Sequence, residues 1–213
     1  MPRAKARDLS IVHVPLDLRK GARTRLKVID SAYRCIARDG YYRTTFQTIA
    51  DHAKVSQPLV VKIFVSRENI FPMVAAHLLQ QAILRTEARL QAGQAITVAQ
   101  KLETYYEVSL DMLEADPDLP NFYINLYYLS TYDPKTREIN QAIRKGALDR
   151  IEGFLMGSPK VQRRRDLSLR RIATGLHDLL TGSILNCVAL GSDWDKPALL
   201  KNLRVSFLDG LDL

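Results

Sequence analysis

A short run near the N-terminus, Gln57-Pro58-Leu59, has side chains that could read the edges of base pairs. A glutamine amide can make a bidentate contact with adenine, and proline and leucine can pack on thymine methyl groups. Hydroxyl and basic side chains around this run suit phosphate oxygens, which set register but carry no sequence information. These phosphate candidates are Thr44, Thr45, Lys54, Ser56, Lys62 and Arg67.

Two short helices joined by a tight turn would position these side chains. Thr44 and Gln47 fit a capping box at the start of the first helix. Ser56 is suited to cap the second helix, and Pro58 falls in its first turn, where a missing N–H costs nothing. A longer helix precedes them and stops at Gly40, because glycine enters the left-handed conformation cheaply. The pattern predicts a helix-turn-helix.

The rest of the chain is predicted to be helical, without a convincing strand or an internal repeat. Breaks at Gly, Pro and Asp place helices at about 67–91, 95–115, 119–131, 134–156, 166–190 and 196–209. The fold class is therefore all-α, with a small three-helix head and a larger helical body.

The net charge of +8 lies in the first third of the chain. Residues 1–64 hold 13 basic and 5 acidic residues, whereas the remainder holds 18 of each. Residues 1–22 form a basic arm, expected to be flexible. Such a charge attracts a polyanion through counterion release, although a solubility role is an alternative. No long apolar run is present, and Cys35 and Cys187 are too few for a disulfide scaffold, so we expect a cytoplasmic protein without a membrane partner.

The segment 24–71 resembles the TetR family of transcriptional regulators. The positions that fit in type and spacing are Ile29, Ala32, Gly40, Tyr41, Thr44, Thr45, Ile49, Ala50, Ala53, Val55, Ser56, Phe64, Ser66, Glu68 and Ile70. The resemblance implies a helix-turn-helix DNA-binding domain at 23–66 and a ligand-binding and dimerisation domain at 67–213. It also implies a regulator, most simply a repressor, that binds a palindromic double-stranded DNA operator as a homodimer and is released by a small-molecule effector.

Three departures from the family pattern affect the head. Lys54 stands where the turn glycine is usual, which predicts a non-glycine residue in a strained turn at a cost of roughly 1 kcal/mol. Val61 replaces a tyrosine whose hydroxyl commonly touches a phosphate in the family. Leu59 and Ile63 replace polar residues, so the recognition helix is unusually apolar. The alternative function is therefore a small-molecule-binding protein whose head binds DNA only non-specifically.

Residues 105–132 hold seven of the sixteen aromatic residues in the chain. Tyrosines supply apolar walls with a hydroxyl for orientation, which is typical of small-molecule pockets, although ordinary packing is an alternative for each one. The predicted effector site consists of Tyr105, Tyr106, Phe122, Tyr123, Leu126 and Tyr127. The acidic stripe Glu103, Glu107 and Asp111 could attract a cation, or could simply face water.

The last two long helices carry the residues predicted to form a dimer interface, since this pair forms a four-helix interface in the family. The predicted set is Ile172, Leu176, Leu180, Ile184, Leu200, Leu203 and Phe207. Intrachain core is the alternative interpretation. Gly175 and Gly182 would let another helix approach closely.

Catalysis is not indicated by the sequence. The four histidines are far apart, none has metal-ligand spacing to Cys or Glu, and no nucleophile elbow, P-loop or dinucleotide fingerprint is present. We expect neither a cofactor nor a metal, and an unusual helical hydrolase is a minor alternative.

Deleting residues 2–20 is expected to weaken DNA binding and flatten its salt dependence, because the basic arm would compensate for the phosphate contact missing at Val61. Gel-shift titrations at two salt concentrations measure both quantities. An unchanged affinity and salt slope would contradict a DNA-binding role for the arm.

Overall fold

The computed structural model describes residues 20–92, 97–163 and 168–209, and within them the fold is entirely helical. The head contains α1 (Lys20–Asp39), α2 (Phe46–Ala53) and α3 (Gln57–Phe64). The body contains α4 (Ile70–Gln91), α5 (Val98–Ala115), α6 (Leu119–Ser130), α7 (Pro134–Leu155), α8 (Pro159–Arg163), α9 (Leu169–Leu190) and α10 (Lys196–Leu203), and a π-helical turn extends α10 through Leu208. The all-α prediction is confirmed.

The predicted helices match the observed ones to within a few residues, with two differences. The short helix α8 was not predicted, because five residues are too few to show a periodic pattern. The chain is also helical from Lys20, so the predicted arm cannot include residues 20–22. The rest of the predicted arm lies outside the described residues.

The head packs around a small apolar core that includes Ile36, Ile49 and Phe64, all without exposed surface. The α2–α3 turn passes through Lys54, which adopts the left-handed conformation at φ 53° and ψ 52°. A non-glycine residue therefore occupies the turn, as the sequence predicted.

The capping box of α2 is shifted by one residue from the predicted one. Thr45 is the N-cap, and its hydroxyl accepts a hydrogen bond from the Thr48 backbone N–H at 3.1 Å. The Thr48 hydroxyl in turn accepts from the Thr45 backbone N–H at 2.9 Å. The prediction of Thr44 with Gln47 was wrong, because serine or threonine at either of two adjacent positions fits the same pattern.

The end of α3 contains a second residue with positive φ, Val65, at φ 67° and ψ −50°. The Ser66 N–H donates to the Phe64 carbonyl at 2.8 Å, which closes a three-residue γ-turn around Val65. A β-branched residue is a genuine outlier in this region. The Val65 side chain is 74 % exposed, so little packing offsets the strain.

Val65→Gly is expected to raise the free energy of unfolding by about 1 kcal/mol, because relief of roughly 2 kcal/mol of strain exceeds the entropic cost of a glycine. Urea denaturation followed by circular dichroism measures the change. Val61→Gly is the matched control on exposed α3 helix, and it should lower the same quantity by about 1 kcal/mol. A fall for both variants would show that Val65 is unstrained.

The body core lies between α5, α6, α7 and α9, and it includes Leu102, Leu110, Leu126, Ile151 and Leu176. Helix α4 joins head to body, since it packs on α1 and on α5. The division of the chain at residues 22 and 66 stays a proposal. Within the described residues, no helix is long and apolar enough to cross a membrane.

Candidate DNA-binding face and effector site

The α2–α3 turn and the start of α3 expose six of the nine predicted DNA-contact residues. Gln57 is the first residue of α3, with Pro58 behind it and Ser56 at the N-cap position without a side-chain capping bond. The exposed six are Thr45, Lys54, Ser56, Gln57, Pro58 and Lys62. Leu59 is half-buried. The N-terminal end of α3 therefore presents the amide and the small apolar groups together.

Two of the residues predicted to contact phosphate form hydrogen bonds within the chain instead. Thr44 is only 1 % exposed, and its hydroxyl donates to the Gly40 carbonyl at 3.0 Å. The Arg67 guanidinium donates to the Tyr42 carbonyl at 2.8 Å and lies 5.3 Å from the centre of the Tyr41 ring. We therefore leave both out of the proposed phosphate contacts, because the Thr44 hydroxyl and the Arg67 Nη2 group already donate to backbone carbonyls.

The outer face of α3 is apolar beyond its first turn. Val61 is 39 % exposed and stands where the resemblance placed a missing tyrosine. Lys62 is the one long charged side chain of α3. Phosphate contacts from α3 itself are therefore few.

The predicted aromatic effector site lies where α5, α6 and α7 meet. Phe122 and Leu126 are fully packed, and Phe122 stacks on Phe71 at 4.8 Å between ring centroids. The Tyr106 hydroxyl donates to the Leu176 carbonyl, which fixes it as a structural link between α5 and α9. These three residues belong to the core, so they are not free to line a pocket in this conformation.

The other three predicted residues, Tyr105, Tyr123 and Tyr127, form a group with polar neighbours. Burial, and then the nearby Tyr105 and Tyr127, raise the pKa of Tyr123 to about 12, so its hydroxyl is a donor at neutral pH. Tyr127 lies within electrostatic range of Arg144, whose guanidinium is 2.5 Å from Asp178. This group carries hydroxyls into an otherwise apolar interior.

A cavity of about 740 Å³ lies away from this aromatic group. It is a groove between the α5–α6 corner and the α9–α10 loop, lined by Leu113, Glu114, Pro117, Pro120, Asn121, Cys187, Val188, Gly191, Trp194, Asp195, Lys196 and Pro197. No pattern in the sequence indicated this groove, because its lining comes from segments far apart in the chain. Lys196 in this groove already bonds to Asp111.

The acidic stripe of α5 is paired with basic residues from other helices. Glu103 bonds to Arg204 at 2.7 Å. Asp111 bonds to Arg89 at 2.8 Å, and Glu107 lies 3.8 Å from the same guanidinium. The stripe therefore ties α5 to α4 and to the turn after α10, and its charge is not available to attract a cationic effector.

The predicted dimer residues divide into buried and half-buried positions. Leu176, Leu180, Ile184 and Leu203 are buried within the chain, which favours the intrachain-core interpretation for these four. Ile172 and Leu200 are half-buried. The side chain of Phe207 lies outside the described residues.

The face of α9 opposite this core carries small residues at seven-residue spacing, Gly175, Gly182 and Ala189. A Cβ added at Gly182 would meet nothing within 4 Å. The outer side of α9 is therefore open at Gly182, and it carries only small side chains at these three positions.

A model of the tetR family of bacterial regulatory proteins matches residues 28–74, which run from α1 through α3 into α4. The chain belongs to the TetR family. The match covers the helix-turn-helix head whose exposed residues are described above. A TetR-family head is a DNA-binding domain, which accounts for the basic first third of the sequence.

Relatives within the TetR family extend the likeness to the body. The nicotine-responsive transcriptional repressor HdnoR of Paenarthrobacter nicotinovorans is 25% identical over 190 residues, covering 89% of this chain and 96% of the relative. The fatty acid degradation regulator FadR from Bacillus halodurans superposes with a TM-score of 0.76 at 22% identity, covering 88% and 96% of the two chains. FadR from Bacillus subtilis, solved with stearoyl-CoA, gives a TM-score of 0.72 at 22% identity, covering 87% and 96%. The two structural matches show that the fold is shared throughout the body.

Helix α6 connects the TetR-family head to the body through its N-terminal end. Arg34 of α1 donates to Asp116 at 2.6 Å and to Asp118 at 2.9 Å, and Arg38 reaches the same Asp118 at 2.9 Å. The Tyr33 hydroxyl donates to Asp116 at 2.9 Å. We name this cluster the α1–α6 latch.

Two further contacts follow α6 along the head. A Cβ on Gly40 would lie 3.8 Å from Asn125 Oδ1, so the middle of α6 runs close to the end of α1. Near the end of α6, Tyr42 of the head stacks on Tyr132 at 6.4 Å between centroids, and Tyr132 packs edge-on against Tyr128 at 5.2 Å. The head therefore follows the whole length of α6.

Acid is expected to destabilise this TetR-family protein through its buried histidines. Burial, and then the Arg144 charge, lower the pKa of His177, and burial lowers the pKa of His77. A lowered folded-state pKa means that the unfolded chain binds the proton first as the pH falls below about 6.5, so stability declines by up to about 1.4 kcal/mol per pH unit for each histidine.

Urea midpoints at pH 7, 6 and 5 measure this decline, and His177→Gln should reduce its slope by about half. His52→Gln changes an exposed histidine and should leave the slope unchanged. A wild-type slope in His177→Gln would show that His177 does not contribute.

Proposed function

We propose that this TetR-family protein is a repressor that binds a palindromic operator as a homodimer and is released when a small-molecule effector binds the body. The observation that carries the proposal is the set of exposed side chains at the start of α3, on a head that the family model matches. A single recognition helix reads only a few base pairs, so two copies on a palindrome are the economical arrangement.

Effector control is supported by the relatives. One of them is a nicotine-responsive repressor and another was solved with stearoyl-CoA. The two molecules differ in charge and size, so neither is proposed as the effector of this chain. An effector can shift the balance between DNA-binding and released states only through its different affinities for them.

Helix α6 is proposed to relay the signal. One side of α6 carries Tyr123 and Tyr127 into the body, and the other side holds the head through Asp118 and Tyr132. A shift of α6 would move the head relative to the dimer axis. The stacking of Phe71 on Phe122 supports a movement of α4 together with α6.

The dimer is proposed to form through the outer face of α9 together with α10. Gly175, Gly182 and Ala189 allow close approach of a second α9, and half-buried Leu179 and Leu200 flank them. This set replaces the four buried leucine and isoleucine positions in the predicted interface.

Gln57→Ala is expected to lower affinity for the operator by about tenfold or more, since a bidentate amide contact contributes about 1–3 kcal/mol of discrimination. A footprint on the DNA flanking the protein's own gene locates the operator, and gel shifts at low salt measure the affinity. Gln141→Ala on the exposed face of α7 is the matched control and should bind like the wild type.

The apolar face of α3 favours one competing result, a head without sequence preference. In that case the footprint shows no protected palindrome, and Gln57→Ala binds all DNA with the wild-type affinity. Absence of any binding at low salt would reject the regulator itself.

A further inference from the structure

Helix α7 carries five basic side chains, and four of them donate to an oxygen of a carboxylate, carbonyl or amide group. Those four bonds are Lys135 to Asn69 at 3.0 Å, Arg137 to the Ser130 carbonyl at 2.8 Å, Arg144 to Asp178 at 2.5 Å and Lys145 to Asp149 at 2.7 Å. The fifth, Arg150, faces the Tyr105 hydroxyl, and no ion pair joins it to a carboxylate of the described residues. An arginine keeps its charge, so Arg150 is a cation with no paired carboxylate among the described residues.

Arg150 is half-buried, on a face of α7 that also carries apolar side chains. It follows Ile143 and Ala147 and precedes Phe154 at four-, three- and four-residue spacing, which places all four on one face of α7. The Phe154 ring lies 6.4 Å from the Tyr105 ring, and Tyr105 is only 9 % exposed. A half-buried guanidinium thus sits against an aromatic wall.

Space is available beside Arg150. Gly146 and Gly153 lie one turn to either side of it on α7, and a Cβ added at either glycine would meet nothing within 4 Å. Two side chains are therefore missing along the α7 face that borders the guanidinium, so α7 itself does not cover Arg150 from these two positions.

Uncharged polar groups lie near Tyr105, and a further polar group on α9 has no partner among the described residues. Tyr123 and Tyr105 lie within electrostatic range of each other and supply hydroxyls. His177 is 9 % exposed, and its Nδ1 has no hydrogen-bond partner among the described residues. The nearby cation Arg144 is already neutralised by Asp178.

We propose that Arg150 is the anion-binding residue of the effector site, and that the effector is an apolar organic acid and not an organic cation. The inference rests on the proposed function, because it assumes that the body binds an effector. An aromatic wall alone would suit a cation through its ring faces. The uncompensated guanidinium reverses that preference, because it repels a cation and can hold a carboxylate with two parallel hydrogen bonds.

The test is the melting temperature of the full chain with three matched pairs of probes at constant ionic strength: benzoate and benzylamine, decanoate and decylamine, indole-3-acetate and tryptamine. At least one carboxylate should raise the melting temperature by about 3 °C at a tenfold excess over its Kd, and its amine should not. Arg150→Met should abolish the shift. Arg170→Met removes an exposed arginine that bonds to Asp149 and Glu152, and it should retain the shift.

Three results would overturn the proposal. They are an amine that stabilises as much as its carboxylate, a carboxylate shift that survives Arg150→Met, and the absence of a carboxylate-specific shift in all three pairs. The ligand-free protein supplies a separate readout, since Arg150→Met should leave the melting temperature unchanged or raise it by removing an uncompensated charge. A lowered melting temperature would mean that Arg150 only supports Tyr105.

A gel shift separates this inference from the proposed function. If the wild type protects its operator and none of the carboxylates acts, the anion site fails while the regulator stands. If the carboxylate shift is present and depends on Arg150, but no DNA is bound, the regulator fails while the anion site stands.

Discussion

Gly182→Arg is expected to produce a folded monomer whose operator affinity is reduced about 100-fold or more. The new side chain would project from the outer face of α9, where a second α9 is proposed to pack. Linked recognition helices gain about 10²–10⁴ in affinity over one alone, and a monomer forfeits that gain. Analytical ultracentrifugation and a gel shift measure the two effects.

The loss of operator affinity in Gly182→Arg should not result from a loss of folding stability. Arginine is a better helix former than glycine by nearly 1 kcal/mol, and a Cβ at position 182 meets no atom within 4 Å, so the fold is expected to survive intact. Ala142→Arg on α7 is the control, because it adds the same side chain at an exposed position on another helix. A Gly182→Arg protein that sediments as a dimer would place the interface elsewhere.

Arg34→Met is expected to lower the free energy of unfolding by about 2 kcal/mol and to weaken the response to effector at least tenfold. The substitution removes the cation between Asp116 and Asp118, two carboxylates that would then repel each other in a half-buried site. The Arg34 side chain is 23% exposed, so solvent screens only part of this repulsion. Operator binding without effector should persist, because Arg34 is not on the α3 face.

Urea denaturation and gel shifts with and without effector measure these quantities. Arg170→Met is again a suitable control, since it also removes an arginine that bonds to two carboxylates, but in an exposed position on α9 away from the head. It should cost less than about 1 kcal/mol and leave the response intact. Equal responses in both variants would exclude the α1–α6 latch from signalling.

Local pattern predicted the helices well because each is long, periodic and bounded by proline, glycine or a capping residue. The start of α7 at Pro134 after the Asp133 cap is one example. The strained turn at Lys54 could also be predicted, since the pattern there demands a residue with positive φ. Val65 could not be, because no side-chain chemistry at that position signals a γ-turn.

Contacts between residues that are far apart in the chain could not be predicted from the sequence. Tyr33 and Asp116 are 83 residues apart, and Glu103 and Arg204 are 101 apart, so nothing local links them. A periodic apolar stripe such as Leu176–Leu180–Ile184 shows that a face is buried but not what covers it. Arg150 did carry a usable signal, an arginine inside an otherwise apolar stripe of α7.

Because α6 holds the effector-side tyrosines on one side and the head on the other, ligand preference and signal output are separable along a single helix. Substitutions at Tyr123 and Tyr127 can change which effector is recognised, while Asp118 and Tyr132 are kept to preserve the attachment of the head. A library confined to the first pair should yield sensors for new molecules that still switch. Substitutions at the second set should instead yield proteins that bind their effector without switching.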